Sequence, residues 1–183
     1  MTMTHESQIK QWISEDEHRM EALRFARQCH LSDWCLAAGF VRNLVWDKLH
    51  GKREATLLND IDLIYYNASH TAETTDIHYE AELHSMRNLP WSVKNQARMH
   101  LANGDAPYRN TCDAMSYWVE VETAVGVRLT ASGALEIIAP FGLDALFSYT
   151  ITLNPKRPKP QVFDQRITEK GWLRRWPMLV VKC

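Results

Sequence analysis

The chain has little of what usually identifies a protein class directly. Only 4 of its 183 residues are cysteine and only 7 are glycine. No Cys-x-x-Cys pair, Walker A segment or dinucleotide-binding glycine fingerprint is present. No apolar run approaches the roughly 20 residues that cross a bilayer, and the polar first residues do not follow the pattern of a signal peptide. We therefore expect a cytoplasmic protein with reduced thiols and no membrane association.

The charge and the apolar content set the outer bounds. Formal net charge is −1 and 45% of residues are hydrophobic, so a sizeable core is expected but no global attraction to nucleic acid. We expect a helical segment over residues 1–35 and a main domain over residues 36–183, together forming one compact unit. Five tryptophans sit at apolar positions of helical patterns and are assigned to the core: Trp12, Trp34, Trp46, Trp172 and Trp176.

Periodicity predicts the order of the elements. Helices are expected over 6–30 (with a cap or bend at 16–19), 41–50, 74–86, 108–118 and 163–175. Strands are expected over 60–66, 91–94, 125–129 and 135–138, the last two as a hairpin around Ala131-Ser132-Gly133.

Two aspartates in one apolar strand are the first feature that suggests chemistry. Asp60 and Asp62 stand at i and i+2, so they point to the same face, about 7 Å apart at Cα. An isolated acid pair is often only a solvated face. Two neighbouring carboxylates repel unless something neutralises them, and Mg²⁺ binds through one or two carboxylates together with substrate phosphates.

A glycine turn lies upstream of this strand. Gly39 ends an apolar run, and a helical pattern begins at once. A helix N-terminus offers free N–H groups and a positive dipole end to an anion. Arg42 in the first turn opposes the dipole unless an anion faces it, and its guanidinium suits phosphate. A phosphate-binding turn beside a metal-binding strand is typical of phosphoryl or nucleotidyl transfer.

These two segments carry a family resemblance. Gly39-Phe40-Val41-Arg42-Asn43 with Asp60-Ile61-Asp62 resembles the nucleotidyltransferase superfamily with the polymerase-β-like fold, in which Phe40 stands at the second small residue of the turn. The turn also looks like the Gly-Gly-x-Val-Arg-Asp segment of tRNA CCA-adding enzymes and bacterial poly(A) polymerases. Over its length the chain is most similar to a family of small bacterial nucleotidyltransferase-like proteins, through residues 91–100, 124–129, 139–147, 154–155, 170–172 and 176–177.

The resemblance implies an α+β (or α/β) fold with a mixed sheet and helices packed on it. It implies transfer of a nucleoside monophosphate from an NTP to an acceptor. Asp60 and Asp62 would be catalytic and hold Mg²⁺ or Mn²⁺, while Gly39, Arg42 and Asn43 would bind phosphate. Lys94, Arg98 and Arg128 are further candidates for that site.

The superfamily's third metal ligand has four candidates here. Glu136 lies in a predicted hairpin strand, and Glu120 and Glu122 would share a face if their segment is extended. Asn95 would stand at i+2 from Val93 and offer a carbonyl oxygen.

The acceptor and the activity stay open at this point. A small molecule, a protein side chain and an RNA end are all compatible with the pattern. The alternatives to an active enzyme are a degenerate, non-catalytic nucleotide-binding or regulatory module and a purely structural or interaction protein.

Overall fold

A computed structural model describes residues 2–183. Its helices are α1 (His5–Ser14), α2 (Glu17–Gln28), α3 (Gly39–Leu49), α4 (Glu73–Met86), α5 (Met99–Asn103), α6 (Thr111–Met115), α7 (Pro160–Lys170) and α8 (Trp172–Arg175). Its strands are β1 (Cys35–Ala37), β2 (Ile61–Tyr65), β3 (Trp91–Asn95), β4 (Gly126–Leu129), β5 (Leu135–Ile138), β6 (Thr150–Thr152) and β7 (Val180–Lys182). No helix within residues 2–183 is both long and apolar enough to cross a membrane.

Five strands form one mixed sheet in the order β3-β2-β1-β4-β5. Strands β2 and β3 are parallel and the other neighbours are antiparallel. The remaining strands, β6 and β7, form a separate parallel pair. The register of β1 against β2 sets Ala37 opposite Asp62. Because α3 begins two residues after Ala37, the start of that helix lies beside the acidic strand. The mixed sheet with packed helices confirms the predicted α+β fold.

One large hydrophobic cluster joins the helices to the sheet. It contains residues of the first two helices, of α3, of the central strands and of the C-terminal helices, among them Ile9, Leu23, Val41, Trp46, Leu63, Val127, Phe163 and Trp176. Burying a side chain of this size contributes about 1.5–3 kcal/mol. The N-terminal helices therefore share their core with the sheet that carries the acids.

Local capping explains where the first helices begin. Thr4 Oγ1 accepts a hydrogen bond from the Ser7 N–H at 3.1 Å. The Asp16 carboxylate accepts one from the Arg19 N–H at 3.0 Å, so Asp16 starts α2 and divides the predicted 6–30 helix in two. Both are N-cap hydrogen bonds to otherwise unpaired N–H groups.

Several predicted boundaries were wrong. The helix expected over 108–118 is only the short α6, and the helix expected over 163–175 is broken at Gly171, whose φ is 62°. The acidic strand starts at Ile61, so Asp60 immediately precedes it. Strands β1, β6 and β7 were not predicted at all. Each has three residues, and a run that short carries no readable alternation.

Candidate active site

The turn between β1 and α3 is the backbone feature on which the site is built. Ala38 has φ 56° and ψ −125°, a left-handed conformation that L side chains rarely adopt. Its N–H donates to the Val125 carbonyl oxygen at 2.9 Å, and its own carbonyl accepts from the Arg42 N–H at 2.9 Å. The two small residues of the turn are therefore Ala38 and Gly39. Pairing Gly39 with Phe40 was wrong, because Phe40 is 1% exposed and packs in the core.

Gly39 leaves room for the side chains that fold back over the turn. A Cβ at this position would lie 3.2 Å from Arg42 Nη2 and 3.3 Å from Asn43 Nδ2. Arg42 Nε and Nη2 donate to Asn43 Oδ1 at 3.2 and 3.0 Å. The first N–H groups of a helix have no partner within the helix, so this turn presents backbone donors next to a guanidinium.

Arg42 is a buried cation held on several sides. It is 6% exposed, and its Nη1 donates to Thr123 Oγ1 at 2.9 Å. Its guanidinium carbon lies 5.1 Å from the ring centroid of Trp46 and 4.7 Å from that of Trp172. Burial lowers the pKa of Arg42 to about 10, against the opposing effect of the Glu120 charge. Arg42 therefore stays protonated at neutral pH.

The two aspartates face the same space as this turn. Asp60 is exposed and Asp62 is half-buried. Within residues 2–183, no donor hydrogen-bonds to either carboxylate and no cation lies within 4.0 Å. Burial, and then the charge of Asp60, raise the pKa of Asp62, while Arg42, Lys170 and Arg166 act in the opposite direction. No direct protein contact therefore compensates a negative charge on either carboxylate.

A cavity of about 470 Å³ joins the turn to the acids. All five predicted site residues, Gly39, Arg42, Asn43, Asp60 and Asp62, line it. The opposite wall comes from the C-terminal helices and consists of Arg166, Glu169, Lys170, Trp172, Arg175 and Trp176. Four cations and three carboxylates thus surround one space, which suits a polyanion bound together with a metal ion.

Sequence reasoning missed Arg166, Lys170 and Arg175 as site residues. The available signal was the resemblance of residues 170–172 and 176–177, which pointed to this segment without giving it a role. Tryptophan packing brings the segment to the site. Trp46 on α3 makes edge-on contacts with Trp172 and Trp176 at ring-centroid distances of 5.7 and 5.1 Å.

Asp47 adds a polar anchor to this packing. Its Oδ1 accepts from Trp176 Nε1 at 2.8 Å and from Thr56 Oγ1 at 2.7 Å, and its Oδ2 accepts from the Thr56 N–H at 2.7 Å. One buried carboxylate thereby ties the C-terminal helices and the loop before Asp60 to α3.

Glu120 connects the two arginines of the site. Its carboxylate takes a two-pronged contact from Arg166, at 2.8 Å from Nε and 2.9 Å from Nη2. It also accepts from Thr123 Oγ1 at 2.9 Å, and Thr123 in turn accepts from Arg42. Glu120 is 1% exposed. This chain of contacts fixes where both guanidinium groups point.

The four candidates for a third metal ligand do not line this cavity. Glu120 is engaged as described. Glu122 accepts from the Thr150 and Thr152 hydroxyls and from the Thr152 N–H, at 2.9, 2.6 and 2.7 Å. Burial raises the pKa of Glu122, and these hydrogen bonds oppose the shift.

The other two candidates lie on different strands. Asn95 is 0% exposed, and its amide bonds the backbone at both ends, accepting from the Asn67 and Ala97 N–H groups and donating to the Asn67 and His70 carbonyls. Glu136 lies on β5, which is separated from the acidic strand β2 by β1 and β4. Its carboxylate pairs with Arg128 at 3.7 Å. The structure does not bring either of them to the acid pair.

The three further basic candidates for the phosphate site lie outside the first cavity, in different surroundings. Arg98 pairs with the buried Asp76 at 2.5 Å, and Arg128 pairs with Asp33 at 3.0 Å, so both belong to structural ion pairs. Lys94 lines a neighbouring cavity that also contains Asp62. Over residues 2–183, no group of three or more His, Cys, Asp or Glu side chains is arranged to hold a metal ion.

Comparison with known proteins identifies the family. The model of a family described as nucleotidyltransferase matches residues 24–181. The chain belongs to this nucleotidyltransferase family. The match covers the turn, both aspartates and the C-terminal side of the cavity that carries Arg166, Lys170 and Arg175, called the basic wall below. It confirms the family predicted from the sequence. No curated protein matches the chain in sequence.

Solved structures extend this result to the fold. An NMR structure reported to reveal a CCA-adding enzyme head domain is 29% identical, with a TM-score of 0.86, covering 99% of this chain and 97% of that one. A CCA-adding enzyme with CTP matches at 14% identity and a TM-score of 0.52, and a tRNA-processing enzyme complex at 15% and 0.51. At these identities the two support the fold alone; they cover 91% and 88% of this chain, which spans 47% and 42% of theirs.

Proposed function

We propose that the protein transfers a nucleoside monophosphate from an NTP to an acceptor hydroxyl with the aid of Mg²⁺ or Mn²⁺. The observation that carries this proposal is the shared cavity, in which two carboxylates without protein partners face a helix N-terminus and four cations. Phosphoryl transfer depends mainly on positioning and on neutralising phosphate charge, and these groups supply both. All four cysteines are free thiols, which fits a reducing compartment such as the cytoplasm.

The donor set fits a hard divalent cation. Asp60 and Asp62 offer carboxylate oxygens that no protein donor uses, and Asp62 holds its charge at a cost because of burial and of Asp60. Magnesium sites commonly consist of one or two carboxylates completed by waters and substrate phosphates, so a third protein ligand is not needed. Bound there, the metal would neutralise phosphate charge and favour loss of the acceptor's hydroxyl proton.

The chain's own residues would bind and orient the nucleotide. Lys170 and Arg175, which reach the cavity from the C-terminal helices, suit the outer phosphates of an NTP. Arg42 is buried and already committed to Asn43 and Thr123, so its role is to add fixed positive charge beneath the turn. Glu120 acts on the site by holding Arg166, not by binding metal.

Binding and chemistry are tested separately. Titration calorimetry with each NTP and Mn²⁺ should show binding to wild type and its loss in Asp60→Asn/Asp62→Asn, with Asp164→Asn on the exposed side of α7 as the matched control. CTP is the first nucleotide to test, since one structural relative is described with CTP. Equal nucleotide binding by wild type and by Asp60→Asn/Asp62→Asn would contradict the site.

The acid pair is also tested through stability. In EDTA, Asp62→Asn should unfold at a higher temperature than wild type because it removes charge repulsion.

The basic wall has its own matched pair of variants. Arg175 lines the cavity and the adjacent exposed Arg174 does not. Arg175→Gln should weaken NTP binding by about tenfold, as expected for one charge-assisted contact to phosphate, and Arg174→Gln should not. Equal effects of the two changes would mean that only the general charge of α8 matters.

A non-catalytic nucleotide-binding module is the second candidate function. It is favoured by the third-ligand candidates, which are all engaged by other protein groups. Pyrophosphate release from NTP, measured with aminoglycosides, sugar phosphates, nucleoside monophosphates, short RNAs and the protein itself as acceptors, decides between the two. Tight NTP binding without pyrophosphate release on any acceptor would favour the module.

A further inference from the structure

A second cavity of about 300 Å³ adjoins the first along the acidic strand, where Asp62 and Ile64, two residues apart, point to the same face. It shares Ala38, Asp62 and Arg166 with the first cavity, so the two spaces meet at Asp62. Most of the rest of its wall comes from the end of β3, from α5 and from the segment after α6, none of which contributes to the first cavity, and Lys159 joins it from just before α7.

The charges on this wall select for an anion. Lys94 and Lys159 line the second cavity, and within residues 2–183 neither has a carboxylate within 4.0 Å. Lys159 Nζ donates to the neutral Asn103 Oδ1 at 3.2 Å. Asp62 is the one carboxylate among the residues that the structure assigns to this wall. A polycationic molecule such as an aminoglycoside would meet like charge here, whereas a phosphate would meet two unpaired ammonium groups.

The second cavity also has an aromatic side. Tyr117 and Trp118 line it, and both are only partly buried. The Tyr117 ring is held in place by Tyr108, with ring centroids 5.0 Å apart, and by Lys156 Nζ at 4.2 Å from its centroid. Fixed and partly exposed aromatic rings beside cations suit a planar heterocycle that carries negative charge.

We propose that the second cavity binds the acceptor, and that the acceptor is a small phosphorylated molecule with a planar ring, such as a nucleoside monophosphate. This inference rests on the proposed nucleotidyl transfer. The acceptor hydroxyl faces Asp62, and its oxygen forms a bond to the α-phosphorus of the NTP. The bond from that phosphorus to the β-bridging oxygen breaks, pyrophosphate leaves with the electron pair, and the hydroxyl proton passes to solvent. The displacement needs the donor phosphate and the acceptor hydroxyl to meet, and the two cavities adjoin at Asp62.

The test uses binding as well as turnover. Each nucleoside monophosphate is titrated into the full chain that has been saturated with a non-hydrolysable NTP analogue and Mn²⁺. Lys94→Gln/Lys159→Gln should weaken monophosphate binding by at least about tenfold and leave the affinity for the NTP analogue unchanged. Lys10→Gln/Lys182→Gln, which removes two lysines outside both cavities, is the matched control and should change neither affinity.

Each alternative result overturns a definite part of the proposal. Equal loss of NTP-analogue binding in the Lys94/Lys159 variant would assign these lysines to the NTP. Pyrophosphate release with aminoglycosides but not with monophosphates would exclude an anionic acceptor, and release with short RNAs alone would exclude a small one. If the NTP analogue does not bind wild type, the proposed function fails. Monophosphate binding that still depends on Lys94 and Lys159 would then support the second cavity by itself.

The aromatic wall is tested by a conservative pair. Trp118→Phe keeps a ring and should retain monophosphate binding, whereas Trp118→Leu should weaken it while ribose 5-phosphate, which has no base, binds both variants equally. Equal monophosphate affinity of the two variants, with both folded by circular dichroism, would remove the planar ring from the description of the acceptor.

Discussion

At the scale of single residues, Ala38 has a strained backbone where the site is assembled. Its φ of 56° and ψ of −125° belong to a region that glycine adopts freely and alanine does not. The strain persists because the Ala38 N–H and carbonyl are both bonded, to Val125 and to the start of α3. Backbone strain of this kind costs on the order of 1–3 kcal/mol and clusters at functional sites.

Replacing Ala38 by glycine should therefore stabilise the fold. We expect Ala38→Gly to raise the free energy of unfolding by about 1 kcal/mol, the relief of strain less the greater freedom of glycine in the unfolded chain. Urea denaturation of the two proteins measures the difference. Ala37→Gly, at a fully buried position in β1 with ordinary φ, should be destabilising by comparison. A loss of stability in Ala38→Gly would mean that the Cβ contributes packing that outweighs the strain.

At the scale of elements, the spacing between β1 and β4 controls how the turn meets the acids. Gly126 on β4 faces Cys35 on β1, and a Cβ at Gly126 would lie 2.6 Å from Cys35 Sγ. Side chains essentially never approach so closely. The absence of a side chain at Gly126 lets β1 keep its register with β4 on one side and with β2 on the other.

Gly126→Ala should therefore destabilise the protein by about 1–3 kcal/mol, the usual cost of overpacking. The double variant Cys35→Ala/Gly126→Ala removes the clashing sulfur, so it should recover part of that loss relative to the sum of the single changes. A double-mutant cycle by chemical denaturation measures the coupling. Additive single effects would show that the loss of stability in Gly126→Ala does not come from a clash with Cys35.

The Asp47 anchor is a second element-scale test. Asp47→Asn keeps one carbonyl acceptor but turns an amide N–H₂ toward a backbone donor, so the contacts to Thr56 and Trp176 cannot all be kept. We expect a loss of about 1–3 kcal/mol in the free energy of unfolding. Hydrogen exchange should also rise in residues 52–56 and 172–176 together. Faster exchange in one segment alone would mean that Asp47 does not couple them.

At the scale of the whole molecule, two of the four thiols report on global unfolding. Cys29 is 8% exposed and Cys35 is 0% exposed, while Cys183 is exposed. Burial raises the pKa of Cys29 to about 11 and that of Cys35 further still, above the ordinary value of 9.0. Alkylation at pH 8 followed by mass spectrometry should modify Cys183 in the native protein and Cys29 and Cys35 only after denaturation.

The same shifts predict how stability changes with pH. The unfolded thiols ionise near pH 9.0 while the folded ones keep their protons, so their contribution to stability is fully present below pH 9.0 and is lost as the pH rises above it. Urea denaturation from pH 7 to 10.5 measures this decline, which should be shallower in Cys29→Ala. Fast alkylation of Cys35 in the native protein at pH 8 would contradict its burial.

Much of the candidate site could be predicted from the sequence because its residues are close together along the chain. Gly39, Arg42 and Asn43 follow one another in one helical turn, and Asp60 and Asp62 are fixed relative to each other by strand geometry. The hairpin of β4 and β5 and the helix after the turn were also predicted, since each is encoded by short-range periodicity and turn residues. Single short strands such as β1 were not, because three apolar residues fit a helix equally well.

The sequence by itself determined the family, through motifs along most of its length, and it placed the acidic pair and the glycine turn, because each of these two depends on residues within a few positions of one another. Only the tertiary structure decided that Ala38 completes the turn, that Arg166, Lys170 and Arg175 face the acids, and that a second cavity meets the first at Asp62. These facts depend on contacts between distant segments, above all the packing of Trp46 against Trp172 and Trp176. Such contacts follow from how whole elements bury their surfaces together, and no local pattern in the chain specifies them.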